Sequence, residues 1–214
     1  MSAHEDRYAA QRASDQRVAA LYALGTLAGA GAMIWARVIT DEIERHDAVR
    51  ARFDGGDSLE DWERFNGSAF VLVLAIGQVL AFEQTLRKLT GDAKLQQARA
   101  RFDAIAPSAP ALRDIATHLD AYAAGRGLRQ TSSRATRHGA PMSVHAVESF
   151  VYYADGGATF LELGEDDHLD LHAASRSAIE LAVVVERVRA KHKLLAERQA
   201  QDLLRRTQAE LHGD

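Results

Sequence analysis

The sequence predicts a mainly α protein, a multi-helix up-and-down bundle with a small β-hairpin set before a long C-terminal helix. Three observations lead there. Apolar residues recur at helical spacing through most of the 214 positions, and only three prolines interrupt them. Aromatic and β-branched residues gather in one stretch, Phe150 to Leu163, around the pair Gly156-Gly157. After it the helical period returns and holds almost to the last residue.

Taken in order, Arg7 to Leu24 has helical composition, and Met33 to Phe53 continues it with Ile34, Val38, Ile43 and Val49 among charges. Gly25, Gly29 and Gly31 fall between the halves, each weakening a helix by roughly 1 kcal/mol relative to alanine. They mark a break or a close helix crossing. Asp54-Gly55-Gly56-Asp57-Ser58 is a turn, with Asp57 or Ser58 as N-cap of a second long helix that runs to about Leu89. Thr90-Gly91-Asp92 ends that helix, and Ala93 to Ile105 forms a shorter one. Pro107-Ser108-Ala109-Pro110 opens the next, which ends near Gly125, since proline is tolerated in a first helical turn. Phe150-Val151-Tyr152-Tyr153 and Thr159-Phe160-Leu161-Glu162-Leu163 read as the two strands of a hairpin, and His168 to His172 as a third short strand. From Ser175 to near Leu211 the chain is helical over more than ~50 Å, too long to be covered along its whole length by one domain. The organisation expected is a bundle over residues 1–124, a basic flexible linker over 125–148, and a hairpin plus final helix over 149–214 completing the same domain.

Composition narrows the function classes. Apolar residues make up 47% and charged residues 26%, which fits a globular chain and excludes wholesale disorder. A net charge of -4 argues against general coating of nucleic acid, so any such contact must be local. The absence of cysteine removes disulfides, thiolate metal sites and cysteine nucleophiles. Met1 to Gln16 has no signal-peptide layout, and the expectation is a cytoplasmic protein. There is no P-loop, GxGxxG, GxSxG or HExxH, and no cofactor is expected.

Two stretches are apolar enough to test against a membrane: 19 uncharged residues between Arg17 and Arg37, and 18 between Arg64 and Glu83. The first is mostly Ala and Gly, and the second contains Asn66, Ser68, Gly77 and Gln78. Helices apolar nearly all round also fill the centre of a bundle, and burial is the reading taken here over a membrane hairpin.

The most specific chemistry lies in Arg113-Asp114-Ile115-Ala116-Thr117-His118. From Ala121 to Val147 the chain carries no acidic residue, while Arg126, Arg129, Arg134 and Arg137 all fall inside. A histidine can transfer protons near neutral pH, and a guanidinium offers permanent charge in a fork that matches phosphate oxygens. Such a pair beside a basic strip fits a phosphodiester substrate.

The Arg-x4-His spacing, a polar residue after the arginine and the helical setting resemble the RX4-6H motif of the HEPN superfamily (higher eukaryotes and prokaryotes nucleotide-binding) over six residues of the chain. The resemblance implies a helical bundle, commonly a homodimer, and a metal-independent endoribonuclease of toxin or antiviral-defence type, or a scaffold that has lost catalysis. It implies His118 in proton transfer and Arg113 on the scissile phosphate, giving a 2′,3′-cyclic phosphate. It also makes Glu83, on the preceding long helix, the candidate third member.

Helix geometry supports this reading only in part. Asp114 and His118 stand at i and i+4, so the carboxylate can orient the imidazole. Arg113 and His118 lie about 140° apart on a regular helix, and converge only through the arginine's reach, a distorted turn or a second subunit. The competing reading makes all three solvated residues of an amphipathic helix, Glu83 a partner of Arg87, and the arginines of 126–137 a solvated loop. A metal site at His168, Asp170 and His172, which share one face of a strand, competes with ordinary strand alternation and is not adopted. The expectation is a HEPN-like RNase with RNA as substrate; the alternative is a non-catalytic interaction module whose projecting C-terminal helix binds a protein partner such as an antitoxin or effector.

Overall fold

The computed structural model of the 214-residue chain describes residues 31–53, 59–117, 136–137, 140–141, 151–155, 158–162 and 168–212. Five helices lie among them: α1 (Gly31–Phe53), α2 (Leu59–Thr90), α3 (Ala93–Ile105), α4 (Ala109–Thr117) and α5 (Leu171–His212). The protein is a mainly α bundle. Helix α2 is its axis, touching α1, α3, α4 and α5. The expected helix over Arg7 to Leu24, Gly25 and Gly29 of the glycine break, and the Asp54–Ser58 turn lie outside the described residues, while Gly31 is the first residue of α1.

On α1 the buried positions are Ala32, Ala36, Ile39, Glu42, His46 and Val49, spaced by three or four residues, so one stripe faces the bundle. On α2 the apolar run supplies Ala69, Leu72, Val73, Ala75, Ile76, Val79 and Leu80, all buried, because helices cover it on several sides. Segment Glu63–Thr90 is long and apolar enough to cross a membrane; its most apolar window has mean hydropathy 1.9, and 56% of that window is buried within the bundle. Alanines 174, 178 and 182 run along α5 against this core and let helix backbones approach closely. Each leucine removed from water here contributes roughly 1.5–3 kcal/mol.

The helix ends follow local chemistry. Gly91 takes φ +64°, a left-handed value natural to glycine, and its N–H donates to the Arg87 carbonyl at 2.8 Å, closing α2. Asp92 then caps α3 through the Lys94 N–H at 2.9 Å, and Lys191 of α5 bonds the same carboxylate at 3.1 Å. One aspartate thus starts a helix and ties it to α5.

Strands β3 (Val151–Asp155) and β4 (Ala158–Glu162) pair antiparallel with Asp155 opposite Ala158, and β5 (His168–Asp170) pairs with β4. A two-residue ladder joins β1 (Thr136–Arg137) to β2 (Ala140–Pro141), inside the segment read as a linker. The last helix begins four residues before the expected Ser175, because the Asp170 carboxylate accepts the Ala173 N–H at 2.9 Å and caps it. His172 therefore sits in a helix rather than on the third strand, and the His168, Asp170, His172 set does not share one strand face. Its imidazole bonds Asp47 of α1 at 2.8 Å. Among the described residues no group of three or more His, Asp or Glu side chains is arranged to hold a metal.

Candidate functional site

Helices α2, α3 and α4 enclose an open cleft of about 470 Å3. Helix α2 presents Leu80, Gln84 and Arg87 to it, at the i, i+4, i+7 spacing of a single stripe. Helix α3 presents Gln96, Arg99, Ala100 and Asp103, again one face, and α4 adds Pro110 and Arg113. Three guanidiniums from three helices therefore surround one space.

Arg113 reaches the cleft across Gly77. A β-carbon built on that glycine would overlap Cγ of Arg113 and stand 2.6 Å from Cδ, so the missing side chain is the seat of the arginine stem. Its Nε is buried and has no hydrogen-bond partner among the described residues. An unmet buried donor costs about 1–3 kcal/mol, which an anionic ligand in the cleft would offset.

Glu83 holds the other two arginines. Its side chain is 0% exposed; Oε1 accepts from Arg87 Nε at 2.6 Å and Oε2 from Arg99 Nη1 at 3.3 Å. Arg99 also donates from Nε to Asp103 Oδ1 at 2.8 Å. Glu83 is thus the partner of Arg87 that helix spacing predicts, and also a buried anchor that fixes two guanidiniums beside Arg113. Charge-assisted bonds of this kind give orientation as well as energy. The cleft can bind an anion between Arg113 and two guanidiniums fixed from below by Glu83.

The remaining sequence-predicted site residues are placed less fully. Asp114 lies in α4, but its side chain and all of His118 fall outside the described residues, as do Arg126, Arg129 and Arg134. Arg137 is in β1, its side chain likewise outside. Arg99, Gln84 and Gln96 were not singled out from the sequence. The only hint was the polar stripe Gln84/Arg87 at the end of the apolar run, and the i, i+4 pair Arg99/Asp103.

A second polar cluster is wholly interior. His46 of α1, 0% exposed, stacks on Phe65 at 4.5 Å and meets Ser68 Oγ through Nδ1 at 2.6 Å. The Ser68 hydroxyl donates to the Phe65 carbonyl at 2.9 Å, so the imidazole carries its proton on Nδ1 and leaves Nε2 as a buried acceptor without a partner among the described residues. Burial pushes the His46 pKa down to about 4, with Asp47 opposing and His172 and Arg50 adding to the fall. Ser68 is 3% exposed, so this Ser–His pair offers no surface to a substrate and acts as a polar clasp between α1 and α2.

No protein-family model matches the chain, and no curated protein or solved structure matches it either.

Proposed function

We propose that this protein is a HEPN-like, metal-independent endoribonuclease that seats the scissile phosphate in the cleft between α2, α3 and α4. The observation that carries the reading is the convergence of Arg87, Arg99 and Arg113 on one open space, above a fully buried Glu83. In the reaction His118 takes the proton from a ribose 2′-hydroxyl, the 2′-oxygen attacks phosphorus, and the P–O5′ bond breaks as the imidazolium returns that proton to the leaving 5′-oxygen. Cyclisation yields a 2′,3′-cyclic phosphate and a 5′-hydroxyl. Arg113 lies against the phosphate and offsets charge that grows on its oxygens in the transition state, while Glu83 positions the neighbouring guanidiniums. Asp114 at i-4 orients the imidazole, and Arg126, Arg129, Arg134 and Arg137 contact the RNA beyond the scissile bond. The protein works as a homodimer in the cytoplasm, as a toxin or defence effector. RNA cleavage by the purified protein in EDTA, lost in Arg113→Ala and His118→Ala while both stay folded, is the test; cleavage unchanged in both variants rules the reading out.

One observation favours a second reading, a non-catalytic interaction module. Near the end of its packed portion α5 exposes Leu194 by 57% and Leu195 by 43%, and beyond Ala196 the residues Arg198, Gln201, Asp202 and Arg205 are exposed. On that reading Leu194→Ser with Leu195→Ser abolishes partner capture and Arg113→Ala does not.

A further inference from the structure

Helix α3 separates two basic clefts. The first is the arginine cleft, which α3 enters with Gln96, Arg99, Ala100 and Asp103. The second, of about 300 Å3, lies between α3 and α5 and carries the cations Lys94, Arg101, Arg187 and Lys191 against one carboxylate, Asp92. Positions 94, 97, 98 and 101 repeat the spacing of 96, 99, 100 and 103 displaced by two residues, which is 200° around a helix. The two clefts therefore flank α3 on opposite sides, at nearly the same height along it.

The carboxylates in reach are already engaged: Glu83 with Arg87 and Arg99, Asp103 with Arg99, and Asp92 with Lys191 and the α3 backbone. Lys94, Arg101 and Arg187 are exposed and make no ion pair among the described residues. Helix α3 is anchored through Leu95 and Phe102, both 0% exposed. Its opposite crest is Ala93, Gln97, Ala100 and Ala104, all exposed, at spacings of four, three and four. No charge and no aromatic or large aliphatic side chain stands on that crest. Val184 and Val188 add an apolar wall in the second groove, where a base can lie while its phosphate meets the cations.

We infer that α3 is a saddle for single-stranded nucleic acid, which crosses its alanine crest with one phosphate among Arg87, Arg99 and Arg113 and a later one among Lys94, Arg101, Arg187 and Lys191. The inference rests on the RNase reading for the first cleft and adds a second, non-reacting subsite. A helix about 10 Å across is a ridge that a flexible strand bends over and a rigid duplex does not. Arg101 and Arg187 bind strand and take no part in bond breaking.

The test is fluorescence anisotropy with a labelled 2′-O-methyl oligouridylate 12-mer, which lacks the attacking hydroxyl and survives any nuclease activity, titrated at several salt concentrations. The slope of log affinity against log salt should become shallower by about 1.4 in Arg101→Ala/Arg187→Ala, at ~0.7 per single-strand phosphate contact, and by ~0.7 in Arg113→Ala. Lys193→Ala, an exposed cation outside both clefts, should leave the slope unchanged. Gln97→Glu, which keeps the crest's shape and adds a charge, should weaken binding. A slope in the double variant equal to that of Lys193→Ala, with Arg113→Ala still shallower, overturns the saddle and leaves the RNase reading intact. The expected slopes together with no EDTA-resistant cleavage of ordinary RNA keep the saddle and remove the RNase. Absence of single-strand binding by the wild type overturns the saddle outright.

Discussion

Replacing Glu83 by glutamine keeps the side-chain shape and deletes one buried charge. The carboxylate accepts from Arg87 at 2.6 Å and Arg99 at 3.3 Å with no exposure of its own. Truncating one partner of a fully buried ion pair costs about 3–5 kcal/mol, because an uncompensated charge remains in the interior. That limit does not apply in full here, since the Arg87 side chain is 35% exposed and Arg99 keeps Asp103. Glutamine keeps a single acceptor oxygen, so one bond persists to a neutral acceptor and the other is lost as the amide nitrogen faces a guanidinium donor, each change costing roughly 1 kcal/mol. The sum is about 2 kcal/mol of destabilisation in Glu83→Gln, or a fall in Tm of about 4–8 °C for a chain of this size. Urea unfolding followed by circular dichroism, with Arg87→Ala and the double variant completing a cycle, measures it. The cycle should give a coupling near 1 kcal/mol between Glu83 and Arg87. A Glu83→Gln variant within about 0.5 kcal/mol of wild type would refute the anchoring role, since surface changes fall in that range.

Two further outcomes follow from the same geometry. Gly77→Ala should gain about 1 kcal/mol of helix propensity and lose about 1–3 kcal/mol to overlap with the Arg113 stem, a net destabilisation between zero and about 2 kcal/mol, with a marked loss of oligouridylate affinity; a variant stabilised by about 1 kcal/mol with unchanged affinity would show that the stem does not rest there. His46, held near pKa 4 when folded and near 6.5 when unfolded, gives a stability that is full above about pH 6.5 and declines as pH falls toward 4, because the unfolded chain takes up the proton first. The total is about 3 kcal/mol, read as the pH dependence of urea midpoints, and His46→Gln should flatten it; an equal slope in that variant assigns the dependence elsewhere.

Much of the architecture is legible in the sequence because its signals are local. Gly91 and Asp92 close one helix and open the next through bonds reaching only two to four residues. The start of α5 misleads because Leu169 and Leu171, both buried, alternate with polar residues as a strand does, and only the Asp170 cap ends the strand there. The site divides the same way. Arg113 stands out through its spacing to His118, and Glu83 through its place after the apolar run. The approach of Arg99 to Glu83 spans 16 residues, and that of His46 to Ser68 spans 22. Neither follows from a helical period, since each depends on how two helices pack. Gly77 illustrates the point further: in sequence it weakens an apolar helix, and in the fold it is the floor on which Arg113 lies.

The proposed function requires Arg113 to meet a phosphodiester in this cleft. The most direct measurement is the rate of RNA cleavage in EDTA by wild type, Arg113→Ala and His118→Ala of verified fold, with mapping of the product ends. The wild type should give 2′,3′-cyclic phosphate ends, and each variant should lose roughly 10²-fold or more in rate. Cleavage at equal rates in all three proteins, or products bearing 5′-phosphate ends, would contradict the proposed function.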